Sequence, residues 1–352
     1  MKRLGTLLMR KGVLFAQTKL SRYLGPLINL DETLAGISRR PAHLGFEVAN
    51  ICNAQCIFCG YATMDRPKAI LPMDLFQKAV DEFDALGGGS IGFNPVVGDP
   101  LVDPQIIDRI RYARAKTNIG RIGLFTNGIL IFRVGAKSLI GSGLDDVTVS
   151  IGGFDREAYH RVFRVDQWDA VYRGLLSLAE ENASAHRKIR IVIALRSDRP
   201  IRKALDTPAY RDLKRYPFEL QFNLRHFDSW SGRIRPGDLS GTMRLKKSPP
   251  KKEPCSILYR VPKVLSNGDL TLCGCRDLNG DSELVRGNIR EKTILEMWRD
   301  PRVEEIRKGF YSSILPRICQ DCSMYEDLSF FRRERVRALL QGRTANREQR
   351  LG

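Results

Sequence analysis

The sequence predicts an α/β protein, an open (β/α)6 partial TIM barrel followed by a small cysteine-rich C-terminal domain. Two observations carry this. From Leu44 to about Arg225, short β-branched runs alternate with amphipathic helical stretches, the pattern of βα units around a parallel sheet. The eight cysteines then fall into two sets, at 52–59 and at 255–322. At 352 residues and 43% hydrophobic, the chain buries a full core and a smaller second unit.

Six strands are expected, at Leu44–Ala49, Ser90–Val96, Arg121–Phe125, Asp145–Ile151, Ile189–Leu195 and Phe218–Asn223. Helical periodicity lies between them at Met73–Leu86, Pro104–Lys116, Val134–Ile140, Trp168–Glu181 and Arg202–Lys214. The expected division is a basic amphipathic extension over 1–42, the barrel over 43–235, a linker over 236–254, the cysteine-rich domain over 255–330 and a basic tail over 331–352. Ligands of parallel αβ folds gather at the C-terminal ends of strands. The residues that follow each strand are therefore where chemistry is expected.

Directly after the first strand stand Cys52, Cys56 and Cys59 in the spacing C-x3-C-x2-C. Three thiolates on one loop suit three irons of a cubic [4Fe-4S] cluster and leave the fourth iron open to a substrate or cofactor. Zinc or buried thiols are the alternatives, since soft thiolates suit zinc equally well. The triple spacing behind a strand weighs against both.

With Phe58 before the last cysteine, this string resembles the defining motif of the radical S-adenosylmethionine (SAM) superfamily. The resemblance implies SAM bound on the open iron, one-electron reduction by a donor such as flavodoxin or ferredoxin, and cleavage to methionine and a 5'-deoxyadenosyl radical that abstracts hydrogen. It also implies the partial barrel fold. Val97-Gly98-Asp99-Pro100-Leu101 resembles the Gly-Gly-Glu-Pro-Leu motif that holds the SAM amino group, with the shorter Asp99 in place of Glu. An ordinary turn would also account for Gly98-Asp99-Pro100. Asn127, in Thr126-Asn127-Gly128, and Ser150 match positions that contact SAM or support its site in relatives. Ile151-Gly152-Gly153 lacks the acid of the commoner Ser-x-Asp-Gly. Arg164 and Arg196 are candidate partners for the SAM carboxylate through a bidentate fork, though arginine is abundant in this chain and a surface charge explains either.

In the second set, Cys255-x12-Gly268-x4-Cys273 resembles the opening of SPASM and twitch domains, where a hairpin brings two thiolates together. Asn267-Gly268 supplies the turn. Cys319-x2-Cys322 completes four ligands for one auxiliary [4Fe-4S] cluster, with Cys275 a spare or an alternate to Cys273. Four thiolates also suit a structural zinc knuckle. The absence of cysteine from 323 to 352 makes the arrangement similar to the twitch type, best known from radical SAM dehydrogenases of aminoglycoside biosynthesis. Oxidising a carbinol by hydrogen abstraction also requires a proton acceptor and an electron acceptor. Asp228 and then His226, on the loop leaving the sixth strand, are the expected bases, and the auxiliary cluster is the expected electron acceptor.

The formal charge is +18 and uneven, with an excess of eleven positive charges in residues 1–42 and 331–352 together. Lys246, Lys247, Lys251 and Lys252 flank Pro249-Pro250 in the expected linker. Apolar residues from Leu4 to Tyr23 recur at near-helical spacing among lysines and arginines. This segment fits an interfacial helix making peripheral contact with anionic lipid, or, as favoured here, a helix packed on the barrel. No nucleic-acid-binding module is recognisable. No apolar stretch approaches the ~20 residues of a membrane span, and no signal peptide is evident, which points to the cytoplasm.

Three functions are therefore in contention. The first is oxidation or epimerisation of a hydroxylated small molecule, sugar-like or anionic. The second is maturation of a peptide, disfavoured because only about forty residues precede the first strand, fewer than a peptide-recognition domain needs. The third is a non-catalytic electron carrier, which gains nothing from an open iron.

Overall fold

The computed structural model describes residues 27–274 and 276–340. Cys275, the amphipathic segment up to Tyr23 and the last part of the basic tail lie outside these residues, and with them the expectation of a lipid-facing N-terminal helix. Six parallel strands form the barrel wall: β1 (His43–Phe46), β2 (Gly89–Phe93), β3 (Ile119–Thr126), β4 (Asp146–Ile151), β5 (Arg190–Arg196) and β6 (Glu219–Asn223). They pair in chain order from β1 to β6, and β6 forms one edge of the sheet. Five short strands follow: β7 (His226–Phe227), β8 (Arg244–Leu245), β9 (Lys263–Val264), β10 (Asp269–Thr271) and β11 (Val285–Asn288).

The helices up to the end of the barrel are α1 (Asp31–Arg39), α2 (Met73–Ala85), α3 (Ile106–Arg114), α4 (Ile131–Val134), α5 (Ala136–Gly141), α6 (Arg156–Phe163), α7 (Trp168–Ser184), α8 (Ile201–Leu205) and α9 (Pro208–Leu213). In α2, Leu75, Phe76, Ala79, Val80 and Phe83 fall on one stripe and are all buried against the sheet. The helix expected over Arg202–Lys214 is broken into α8 and α9 because Pro208 has no amide hydrogen and disfavours helix at Thr207. Thr207 instead accepts from Tyr210 N at 3.2 Å and caps α9.

Two features go beyond the expectation. Helix α6 is capped by Asp155, which accepts from Ala158 N at 2.8 Å, and buries Ala158, Tyr159, Val162 and Phe163. The expected hairpin at Asn267-Gly268 forms, and it also joins the barrel. β9 runs parallel beside β1, with Gly45 opposite Lys263, and β10 and β11 extend the sheet to nine strands. The stretch read as a linker contributes β8, which pairs with β7. Arg244 N donates to Arg225 O at 2.6 Å and Lys246 N to Phe227 O at 2.7 Å.

Candidate active site and cluster pockets

The cysteine loop is pinned from one side by α6. Gln55 N and Ile57 N donate to Phe163 O and Val162 O, each at 3.0 Å. These are carbonyls at the C-terminal end of α6, where the helix leaves acceptors without intrahelical donors. The helix comes close enough because Gly152 and Gly153 have no side chains. A Cβ at 152 would lie 2.8 Å from Val162 Cβ, and one at 153 would lie 2.4 Å from Ala158 Cβ. The acid missing from this motif therefore stands where the chain needs bare backbone. On the other side, Phe58 packs on Phe163 and Phe227, at 5.8 and 5.4 Å between ring centroids, and its carbonyl accepts from Trp230 Nε1 at 2.9 Å.

A cavity of about 500 Å³ opens at the C-terminal ends of the strands. Cys52, Cys56 and Cys59 line it together with Phe58, Gly98, Asp99, Asn127, Ser150, Arg196, His226 and Asp228. Arg164 does not. It is exposed at the C-cap of α6, with φ at 58°, so its value lies in ending the helix. A larger groove of about 630 Å³ lies against α5 and α7, but no strand end contributes to its wall.

Beside the cysteines, Asp99 is fully enclosed by neutral donors. It accepts from Leu101 N at 2.9 Å, from Thr126 Oγ1 at 3.0 and 2.9 Å, and from Asn127 N at 2.6 Å. Burial nevertheless pushes its carboxyl above the usual range. A cationic group arriving at the cavity would favour its ionised form. Gly98, at φ +108°, lets this loop touch the end of β1, since a Cβ there would lie 2.3 Å from Ala49 O. Buried Glu47 holds the same loop by accepting from Val96 N and Val97 N at 3.1 and 3.3 Å while pairing with Arg66 at 2.7 Å. Asn127 Nδ2 donates to Asn53 Oδ1 at 2.7 Å and reaches Cys52 Sγ at 3.7 Å.

On the far wall, Arg196 Nε donates to Ser150 Oγ at 3.0 Å, and the guanidinium lies over Phe58 at 5.3 Å and Phe125 at 5.7 Å. Its planar fork is thereby oriented at the cavity. Asp228 is differently employed. Arg276 Nε is ion-paired with it, Trp230 N donates to it at 2.9 Å and Ser323 Oγ donates at 2.5 Å. Both oxygens are held, and the carboxylate ties the barrel exit to the C-terminal domain. The sequence ranked it ahead of His226 as a base, but its oxygens are engaged, whereas His226 lines the cavity and is exposed.

The second set of cysteines is enclosed. Cys255, Cys273, Cys319 and Cys322 line a much smaller pocket than the barrel cavity, walled by Ile257, Leu258, Phe310 and Tyr325. Lys251 stands at its rim, and Met324 lines both this pocket and the large cavity.

Residues 46–207 match the family model of the Radical SAM superfamily, and residues 255–323 match that of the SPASM iron-sulfur cluster-binding domain. The chain thus carries a radical SAM domain followed by a SPASM domain. Among curated relatives, the GTP 3',8-cyclase of Chlorobaculum tepidum is 30% identical over 130 residues, 36% of this chain and 38% of that enzyme. The match thus spans well under half of the relative's length. Among solved structures, SuiB of Streptococcus suis bound to precursor peptide SuiA aligns with a TM-score of 0.58 at 16% identity, covering 78% of this chain and 69% of that one. BtrN in complex with AdoMet and 2-DOIA aligns at 0.51 and 16%, covering 80% and 92%. At such identity the likeness is one of fold.

A radical SAM and SPASM pair implies a SAM-binding [4Fe-4S] cluster and auxiliary iron-sulfur, and the thiols of this radical SAM chain fit both. Burial pushes Cys52 up to about 12, with Asp99 adding to it, and raises Cys56, Cys59 and Cys319 as well. Such thiols become thiolates where a metal replaces the proton. Among the described residues, no three Cys, His, Asp or Glu gather closely enough to hold one ion. Ligands of separate irons in a cube stand farther apart than those of a single zinc. The sequence reading missed Lys263, Arg276 and Met324, which come from the C-terminal domain and line the cavity. No motif marks them. Among the described residues, no helix is long and apolar enough to cross a membrane.

Proposed function

We propose that this radical SAM chain oxidises or epimerises a hydroxylated small molecule. In this reading Cys52, Cys56 and Cys59 hold the SAM-binding cluster, and Cys255, Cys273, Cys319 and Cys322 hold an auxiliary one. The observation that carries it is the wall that the large cavity shares with the four-cysteine pocket at Met324. When bound, SAM and its cluster supply the 5'-deoxyadenosyl radical that takes a hydrogen atom from the carbinol carbon, and the auxiliary cluster supplies a one-electron acceptor.

The protein's own residues bind and orient. Asp99 accepts the SAM amino group, Gly98 brings backbone to it, and Arg196, aimed by Ser150, takes the carboxylate. Asn127 steadies the cysteine loop. Phe58, Phe227 and Trp230 pack beside that loop and limit water there. His226 accepts the hydroxyl proton at the cavity mouth. Raised, buried thiols and oxygen-sensitive clusters suit the cytoplasm and a low-potential donor such as flavodoxin or ferredoxin.

The test is anaerobic reconstitution followed by incubation with SAM, reductant and carbinol substrates deuterated at carbon. Deuterium in 5'-deoxyadenosine together with a ketone or an epimer is the expected result. Deuterium drawn only from a peptide would transfer the assignment to peptide maturation.

A further inference from the structure

We infer that the lysine-rich stretch 246–252, fastened against the four-cysteine pocket, is a docking surface for an acidic one-electron carrier protein that takes electrons from that pocket. This rests on reading Cys255, Cys273, Cys319 and Cys322 as ligands of an auxiliary cluster that accepts one electron from the substrate. Each oxidation then leaves that cluster reduced by one electron, and a carrier of the flavodoxin or ferredoxin class is reduced by one electron as the cluster is restored.

The stretch is tied to the turn that bears the cysteines. Ser248 Oγ donates to Cys322 O at 3.3 Å. Lys251 Nζ donates to Ser248 Oγ, Pro249 O and Gln320 O at 2.6, 3.2 and 3.0 Å, and lies 5.8 Å from the ring centroid of Tyr325. Beyond these contacts, Lys246 N is bonded to Phe227 O at one end, and Tyr325 Oη donates to Glu253 O at 2.8 Å at the other. Pro249 and Pro250 remove further backbone freedom. A solvated linker needs none of these ties. They set the charges of the stretch in one arrangement in advance, which lowers the ordering cost of docking.

The charges themselves are available. Lys246, Lys247 and Lys252 are exposed, and so is Arg317 on the short helix Arg317–Gln320 that carries Cys319. Among the described residues, none of these four has a carboxylate partner. Of the carboxylates on the same two segments, Glu253 is paired with Arg332 at 2.9 Å, which leaves Asp321 alone against four cations. Such a positive field over a redox centre steers an acidic protein to it and fixes its orientation.

Two further features favour a protein over a nucleic acid or a lipid headgroup. Ile314 and Tyr311, 73% and 62% exposed, stand just ahead of Arg317 in the chain, and Tyr311 lies close enough to Glu253 and Arg332 for both charges to act on its phenol. Apolar and aromatic contacts beside a charged rim are the make-up of protein interfaces. The wall is also thinnest here. Cys255, Cys273 and Cys319 are buried, but Cys322, whose carbonyl holds Ser248, is only partly so.

The test titrates an acidic flavodoxin into the anaerobically reconstituted full chain by calorimetry. Binding is expected at an ionic strength of about 50 mM and should weaken roughly tenfold or more at about 500 mM. Lys246→Glu, Lys247→Glu and Lys252→Glu together should weaken low-salt binding by a similar factor, and Lys246→Arg, Lys247→Arg and Lys252→Arg together should keep it. Electron transfer is read in the Cys52, Cys56 and Cys59 triple Ala variant, reduced and then mixed with oxidised flavodoxin in a stopped flow. The charge reversal should slow flavodoxin reduction roughly tenfold or more and leave reduction of a neutral quinone unchanged. Where the triple reversal does not fold, Lys247→Glu and Arg317→Glu carry the comparison. Salt-independent binding, unchanged rates on reversal, equal slowing with the quinone, or preferential binding of RNA or of phosphatidylglycerol vesicles would each overturn the surface. Absence of iron from the triple Ala variant would instead overturn the auxiliary-cluster reading, and this inference with it.

Discussion

Space separates the two cysteine pockets more clearly than cysteine count does. Cys52, Cys56 and Cys59 face about 500 Å³ of cavity with Asp99 and Arg196 on its walls. Cys255, Cys273, Cys319 and Cys322 face a much smaller pocket, walled by aliphatic and aromatic side chains together with Lys251. Three thiolates with room beside them suit a cluster that takes a further ligand. Four thiolates in a closed apolar pocket suit one that exchanges only electrons. Met324 lines both pockets.

The largest effect expected to sharpen this contrast comes from replacing Cys52, Cys56 and Cys59 together by Ala. About half the iron should be lost, and 5'-deoxyadenosine should fall below detection. Replacing Cys255 and Cys319 by Ala should also remove about half the iron yet leave SAM cleavage, while substrate oxidation stops. Equal loss of cleavage in both variants would erase the distinction between the pockets.

Smaller effects probe the walls. Asp99→Asn should weaken SAM binding roughly 10- to 100-fold, as expected for a hydrogen bond to a charged group, read by equilibrium dialysis. Unchanged affinity would remove Asp99 from the SAM site. Gly152→Asp, which supplies the acid common in relatives, should destabilise the chain by about 1–3 kcal/mol through overpacking against Val162, measured by urea unfolding. An unaltered midpoint would show that α6 yields without cost.

The weakest effect concerns pH. His43 is neutral in the fold with its pKa lowered to about 4 from 6.5, so the unfolded chain binds the extra proton between those values. Its contribution to stability is complete above about pH 6.5 and is lost as pH falls toward 4. The urea midpoint should drop between pH 7 and pH 5.5, and drop less in His43→Asn.

Much of the barrel was legible because β-branched runs and the helical stripe of Leu75 to Phe83 are local signals. The cysteine loop was legible for the same reason, as a short string with fixed spacing. Helix α6 was missed although Asp155 is a sound N-cap, because only eight residues follow and a glycine pair precedes them. Asp228 looked like a base because sequence shows a carboxylate at a strand exit and hides Arg276 and Ser323, which are distant in the chain and adjacent in space. Lys263 was illegible for a related reason. Its place in the cavity wall depends on a two-residue strand pairing across more than two hundred residues.

The central claim, that one cluster site is open and the other closed, is tested most directly by EPR of the reduced, reconstituted protein with and without SAM. The measurement is made on the Cys255 and Cys319 double Ala variant and on the Cys52, Cys56 and Cys59 triple Ala variant. SAM should change the spectrum of the first and leave that of the second as it was. A spectrum altered by SAM only in the second, or in neither, would contradict the assignment of the open site to the barrel loop.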